Sequence, residues 1–379
     1  MTEVKIGLEG VVVARTKMSN VMGEEGRLIY AGYDIHDLAE HATFEEVAYM
    51  FWYWTLPNRR QLDSFDDNLK ARRGLPFHVM ELIRSTPSIN SHPMSVLRTC
   101  VSALALGDPG SNDISQASNL RRAADLTAKI PTIIAAHDRT RKGLETLGPR
   151  EDLDHASNFL YMLHGTVPSP AEARALNLYL VLLADHGFNA STFAARVTAA
   201  TQSDIFSAVT SAIGTLKGPA HGGATEATMQ QFLEIGEVEN VEPWFRQLRA
   251  KGGRVYGMGH RIYKTEDPRA VHLLKAARQL GELTDPKWIR IAERLEQVAR
   301  ADPYFIERKL YTNVDFYSAP LLYALGIDPD LFTTIFTMSR IVGWTGHLLE
   351  QYADNRLIRP LSEYVGPTDL KWVPVDERG

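Results

Sequence analysis

Cysteine is almost missing from this chain. Cys100 is the only one in 379 residues, so no intrachain disulfide and no thiolate metal cluster can form. That usage fits a reducing compartment, and the expected location is the cytoplasm. A basic excess is missing too. The net charge of −5 argues against a nucleic-acid binder, which ordinarily carries clustered positive charge. Any anionic substrate must then be held by a few locally placed arginines rather than by the overall field. There is also no long hydrophobic run. The most apolar stretch, 175–184, contains Asn177 and stops at Asp185, too short to span a bilayer. Glu3, Lys5, Glu9 and Arg15 interrupt the start, which argues against a signal peptide. No internal repeat or low-complexity tract is present. What remains, 44% apolar and 23% charged, is an ordinary globular composition, long enough for a large core and two domains.

Helix signals dominate the rest. Thr43-Phe-Glu-Glu46 is a capping box opening a segment that ends at Leu56-Pro57. His92-Pro93 opens a pattern running to Gly107. Ser169-Pro170-Ala-Glu172 combines an N-cap with Pro at the first helical position, and predicts a core helix reaching Gly187. A further helix is expected over 201–218, with Asp204 in its first turn and Gly218 as its stop. Others are expected from Thr225, Pro243, Pro268, Pro286 and Pro329. Strand signal is confined to the start, where 10–15 and 27–32 suit a small hairpin-like sheet around a polar turn at 23–26. The expected class is mainly α. The stretch 221–320 is more polar than its flanks. We therefore expect a large domain from 1–220 and 321–379, a small domain over 221–320, and a cleft between them.

Three segments carry chemistry. In Lys217-Gly-Pro-Ala-His221-Gly-Gly, glycines let the backbone approach a ligand closely, although a helix stop followed by a surface histidine fits equally well. In Gly257-Met-Gly-His260-Arg, the third glycine of a dinucleotide fingerprint is missing. Arg269 follows nine residues later, held by Asp267-Pro268, and its planar fork suits a carboxylate. In Asn313-Val-Asp315-Phe-Tyr the carboxylate has apolar neighbours. Partial burial would raise its pKa and strengthen it as a base, while an aspartate here also suits a helix N-cap. Two imidazoles and a carboxylate are the parts needed for acid–base chemistry beside a carbonyl.

Further candidates are less pointed. His186 closes a buried helix, where the helix dipole alone favours a histidine. Arg340 lies in the apolar segment 332–349 and needs either a bound anion or an internal acid. Arg359 precedes Pro360 and also reads as a surface arginine.

Taken in order, these segments resemble the citrate synthase family from about Gly7 to Pro374. The resemblance implies a two-domain helical fold with a small N-terminal sheet. It also implies condensation of acetyl-CoA with oxaloacetate and water to citrate and CoA, with no cofactor beyond that co-substrate. By the same resemblance His221 hydrogen-bonds the thioester oxygen, His260 polarises the oxaloacetate carbonyl, and Asp315 removes the methyl proton. His186, Arg269, Arg340 and, from a partner subunit, Arg359 match the oxaloacetate ligands. Arg254, the backbone of Val255, Gly257, Met258 and Gly259, and Lys264 match CoA contacts, with Arg308 and Lys309 as further cations nearby. A homodimer is implied, and the apolarity of 332–349 is expected to reflect an interface. The short stretch before the first strands leads us to expect no NADH inhibition through an added N-terminal segment. The alternatives are 2-methylcitrate synthase, which uses propionyl-CoA with the same residues, a metal-dependent hydrolase built on His186, His221, His260 and Asp315, and a helical interaction module without catalysis. A citryl-CoA-cleaving relative would need ligase segments that this chain lacks.

Overall fold

The computed structural model describes residues 4–86 and 91–378; Glu3 lies outside them. Seventeen α-helices and one antiparallel sheet of three short strands, β1 (Ser19–Met22), β2 (Arg27–Tyr30) and β3 (Tyr33–Asp34), make up its regular structure besides short 3₁₀ turns. This is the mainly α architecture expected. The turn at 23–26 joins β1 to β2 with Met22 opposite Arg27. The first strand is not 10–15, however. A four-residue turn fixes the register of its own flanks, so β2 pairs with 19–22, while Val11, Val12 and Val13 remain exposed and unpaired in coil.

Capping chemistry sets the helix starts as expected. Thr43 and Glu46 close a reciprocal box at the head of Phe44–Tyr53, and Ser169 and Glu172 do the same for Pro170–Leu183. The second helix stops at Leu183 rather than Gly187, because side chains take the carbonyls that would continue it. Arg340 Nε donates to the Leu183 carbonyl (2.7 Å), and the Tyr30 phenol lies 2.7 Å from the Asp185 carbonyl and 2.9 Å from that of Leu182. This early stop turns Asp185 and His186 into the interior. The expected helix over 201–218 begins later, at Ile205, since Asp204 is its N-cap and accepts from Ser207 N–H at 2.9 Å. A separate helix, Ala190–Ala200, precedes it. The 26-residue helix Gln116–Arg141, with Pro131 inside, has no counterpart in the sequence expectations.

At the centre runs Phe332–Ala353. It packs on Phe44–Tyr53, Gln116–Arg141, Pro170–Leu183, Ala190–Ala200 and Ile205–Leu216, and nearly all its residues are buried. As expected, it is not a free surface, but its apolarity is already satisfied within one chain and does not by itself signal an interface. Gly343 permits the closest approach: a Cβ there would stand 2.2 Å from the Ala184 carbonyl oxygen and 2.8 Å from Asp185 Oδ1. No described helix is long and apolar enough to cross a membrane.

Candidate active site

Backbone hydrogen bonds lace two of the three segments together. Gly259 N–H donates to the Tyr311 carbonyl (2.7 Å), Asn313 N–H to that of Gly257 (2.9 Å), and Asn313 Nδ2 to that of Gly259 (2.8 Å). Gly257 and Gly259 both take positive φ. A Cβ on Gly257 would also meet the Phe316 backbone at 2.9 Å, so glycine is required there. The lacing sets His260 beside the helix Val314–Ala324, which carries Asp315. Lys264 N–H donates to the Gly23 carbonyl (3.1 Å), tying the same loop to the β1–β2 turn.

Each histidine has its proton assigned by a backbone neighbour. His260 Nδ1 lies 3.0 Å from Ile262 N–H and 3.1 Å from Tyr263 N–H. Amides can only donate, so Nδ1 accepts and the ring carries its proton on Nε2. At His221 the pattern is reversed. Its Nε2 faces Ser191 N–H (3.4 Å) and Ser191 Oγ (2.8 Å), and Trp344 Nε1 donates to that hydroxyl at 3.2 Å. The amide can only donate, which assigns the His221 proton to Nδ1, with the Ser191 hydroxyl turned to Nε2 rather than to Asn189 Oδ1, also 2.8 Å from it. Burial, helped by Arg340 at His221 and by Arg269 at His260, pushes both imidazoles down to about 4. His186 is likewise held well below the usual imidazole range by burial, Arg269, His260 and Arg340, and its Nε2 is 3.2 Å from the Tyr263 hydroxyl. At neutral pH all three rings are uncharged hydrogen-bonding groups.

Asp315 is not the helix cap. Asn313 takes that role, its side chain accepting from Asp315 N–H at 3.0 Å. The freed carboxylate accepts from Thr225 Oγ1 at 2.5 Å. Burial raises its pKa against the pull of Thr225, Arg269 and Arg340.

The two buried arginines differ. Arg269 holds Asp267 in a two-point pair at 2.9 and 2.7 Å. Burial alone would lift the Asp267 carboxyl, but Arg269 holds it below the usual range. Arg340 has no carboxylate within ion-pair distance among the described residues; Leu183 O and the Phe336 ring, 4.7 Å from its guanidinium carbon, are its contacts. Burial lowers its pKa, and Asp185 is the chief group opposing that. Arg359 stands apart. It is exposed beyond the central helix, with no hydrogen bond or ion pair to the site among the described residues.

Of the proposed CoA contacts, Val255 and Met258 have buried side chains, leaving only their backbone for a ligand, whereas Arg254 and Lys264 are exposed. A groove of about 970 Å³ opens beyond the 217–223 turn, lined by His92, Arg141, Lys142, Glu226 and Asp330 among others. Arg141 and Lys142 are already paired there with Asp138, Asp328 and Asp330. Sequence reading missed Ser191, Tyr263 and Trp344. Only Ser191 left a signal, since it follows the N-cap Asn189 just after His186.

The family profile described as "Citrate synthase, C-terminal domain" matches residues 7–361. Citrate synthase 2 of Bacillus subtilis is 48% identical over 373 residues, which cover 98% of each chain. The chain belongs to the citrate synthase family. A 2-methylcitrate synthase of Mycobacterium tuberculosis is 42% identical over 366 residues, 96% of this chain and 91% of that one. In structure the chain resembles the citrate synthase of Thermoplasma acidophilum, solved as a ternary complex with carboxymethyl coenzyme A and oxaloacetate. The TM-score is 0.94, with 33% identity and all of both chains covered.

Proposed function

We propose that this chain is a citrate synthase, condensing acetyl-CoA with oxaloacetate and water to give citrate and CoA. The observation that carries this reading is the protonation pattern. Two neutral imidazoles present N–H groups of opposite assignment, Nδ1–H on His221 and Nε2–H on His260, and Asp315 is a carboxylate with a raised pKa and no capping duty.

In the proposed mechanism Asp315 takes a proton from the thioester methyl group. The developing enolate oxygen accepts from His221 Nδ1–H. A carboxylate is too weak a base for this alone, and loss of one preorganised donor typically costs ~10²–10³ in rate. The enol carbon then attacks the oxaloacetate ketone, and the new alkoxide oxygen accepts from His260 Nε2–H. Water cleaves the citryl thioester, releasing CoA thiol. Arg340, Arg269 and His186 hold the oxaloacetate carboxylates, joined by Arg359 of a second copy in a homodimer. CoA lies along the backbone of Val255, Gly257, Met258 and Gly259, with Arg254 and Lys264 at its phosphates. Neither a metal nor a further cofactor takes part in this scheme. The reading includes a large domain of 1–220 and 321–379, a small domain of 221–320, and a cytoplasmic location.

The second reading is 2-methylcitrate synthesis from propionyl-CoA, favoured by the 42% identity to a protein of that name. One methylene discriminates by only ~1–3 kcal/mol. Thiol release measured with oxaloacetate and either acyl-CoA decides between them. No thiol release with either would reject both.

A further inference from the structure

Tyr179 lies among the groups of this mechanism and has no part in it. It is wholly buried on the Pro170–Leu183 helix, and its hydroxyl has no hydrogen-bond partner among the described residues. That helix packs on Ala270–Leu283, Val314–Ala324 and Phe332–Ala353. These elements bring Arg269, Asp315 and Arg340, the three charges that act on the phenol, with Asp315 foremost. A sealed, unpaired hydroxyl is costly, and native proteins rarely leave one without a use. Solvent does not reach it, so it gains a partner only when neighbouring groups of the site move. Of the three charges, the arginines can only donate, and Asp315 alone can accept the phenol proton.

Resting on Asp315 as the base, we propose that Tyr179 is a positioning residue. Its hydroxyl donates to the Asp315 carboxylate when the site closes on its substrates, joining Thr225 in aiming that carboxylate. The surroundings of Asp315 leave this role open. Thr225 faces it from Ala224–Ile235, Asp267 and Arg269 from the head of Ala270–Leu283, and Arg340 from the central helix. On Lys287–Arg300, Glu296 is engaged with Tyr317 and Arg300, and Asp330 is paired with Arg141.

Tyr179→Phe removes the hydroxyl and keeps the ring. A hydrogen bond to the charged form lowers a carboxyl pKa, and this one forms only in the closed complex, so its loss moves the acid limb of kcat, which reports that complex, to higher pH. The expected movement is about one to two pH units, a 10–100-fold change in ionisation, the scale of one hydrogen bond to a charge. Melting temperature should hold or rise, and the KM for oxaloacetate above the limb should hold. Thr225→Val, which loses a donor already in place, calibrates the direction. If the limb stays put in Tyr179→Phe while Thr225→Val moves it, the proposal is overturned. A raised oxaloacetate KM without a limb shift also overturns it, since the hydroxyl then meets substrate instead. Wild-type protein is assayed first: absence of thiol release would sink the reading of Asp315 as base, and this inference with it.

Discussion

Asp315→Asn should separate chemistry from folding. Asn313 already caps the helix and Asp315 Oδ1 accepts only the Thr225 hydroxyl, so an asparagine keeps shape, cap and that hydrogen bond. What it loses is the base, and positioned general bases contribute about 10²–10⁴ in rate, or roughly 3–5 kcal/mol of barrier. Stability should move the other way. The folded-state pKa is raised from 3.8 by burial, so the native state binds the proton more tightly than the unfolded chain. Native stability therefore falls as pH rises through that window, and the charge present at neutral pH opposes folding. A neutral amide removes that opposition. At pH 7 the variant should melt no lower than wild type, bind oxaloacetate normally in calorimetry, and lose deuterium from methyl-labelled acetyl-CoA about 10²–10⁴ times more slowly beside a non-condensing oxaloacetate analogue. Exchange at the wild-type rate would show that Asp315 is not the base. A melting temperature lower by several degrees would show that the carboxylate serves the fold.

Acid should destabilise the unliganded protein as pH falls from about 6.5 toward 4. His221 and His260 stay neutral when folded down to about 4, while the unfolded chain takes up protons from 6.5; a flat melting temperature across this window would contradict their burial. On the proposed ordered mechanism, in which oxaloacetate binds first and closes a cleft between the proposed domains, it should protect the amides of 217–223 and 255–270 from hydrogen exchange; unchanged exchange at saturation would rule closure out. Asp315→Asn and Arg359→Ala homodimers should each be nearly inactive, yet their mixed dimer, with one site doubly defective and one intact, should recover about half the wild-type activity. A hybrid as inactive as its parents would mean that Arg359 does not act across an interface.

The parts legible in the sequence were those set by local rules. The capping boxes at Thr43 and Ser169 needed no distant partner. The three chemical segments stood out because glycine, proline and a polar side chain coincide in few residues. What escaped reading depends on long-range partners. Residues 10–15 have the composition of a strand, but pairing is decided by the 23–26 turn. Segment 332–349 is apolar enough for an interface, yet helices of the same chain cover it. The stop at Leu183 is made by Arg340 and Tyr30, each more than 150 residues away along the chain. Ser191, which fixes the His221 proton, announces only a helix start.

These long-range ties also explain why the proposed acceptor should bind before the thioester. Arg269 and Arg340 both pull the Asp315 pKa down, against the burial that raises it. Arg340 carries its charge in the interior without a carboxylate partner of its own among the described residues. An oxaloacetate dianion seated on these guanidinium groups supplies the missing countercharge. It also screens their pull on Asp315 and adds a like charge nearby, and both effects raise the carboxylate's proton affinity. On the proposed mechanism the base is therefore weaker in the empty site and stronger once the carbon acceptor is in place. A thioester arriving first would meet the weaker base. Proton removal is coupled in this way to the presence of the ketone that the enol must attack.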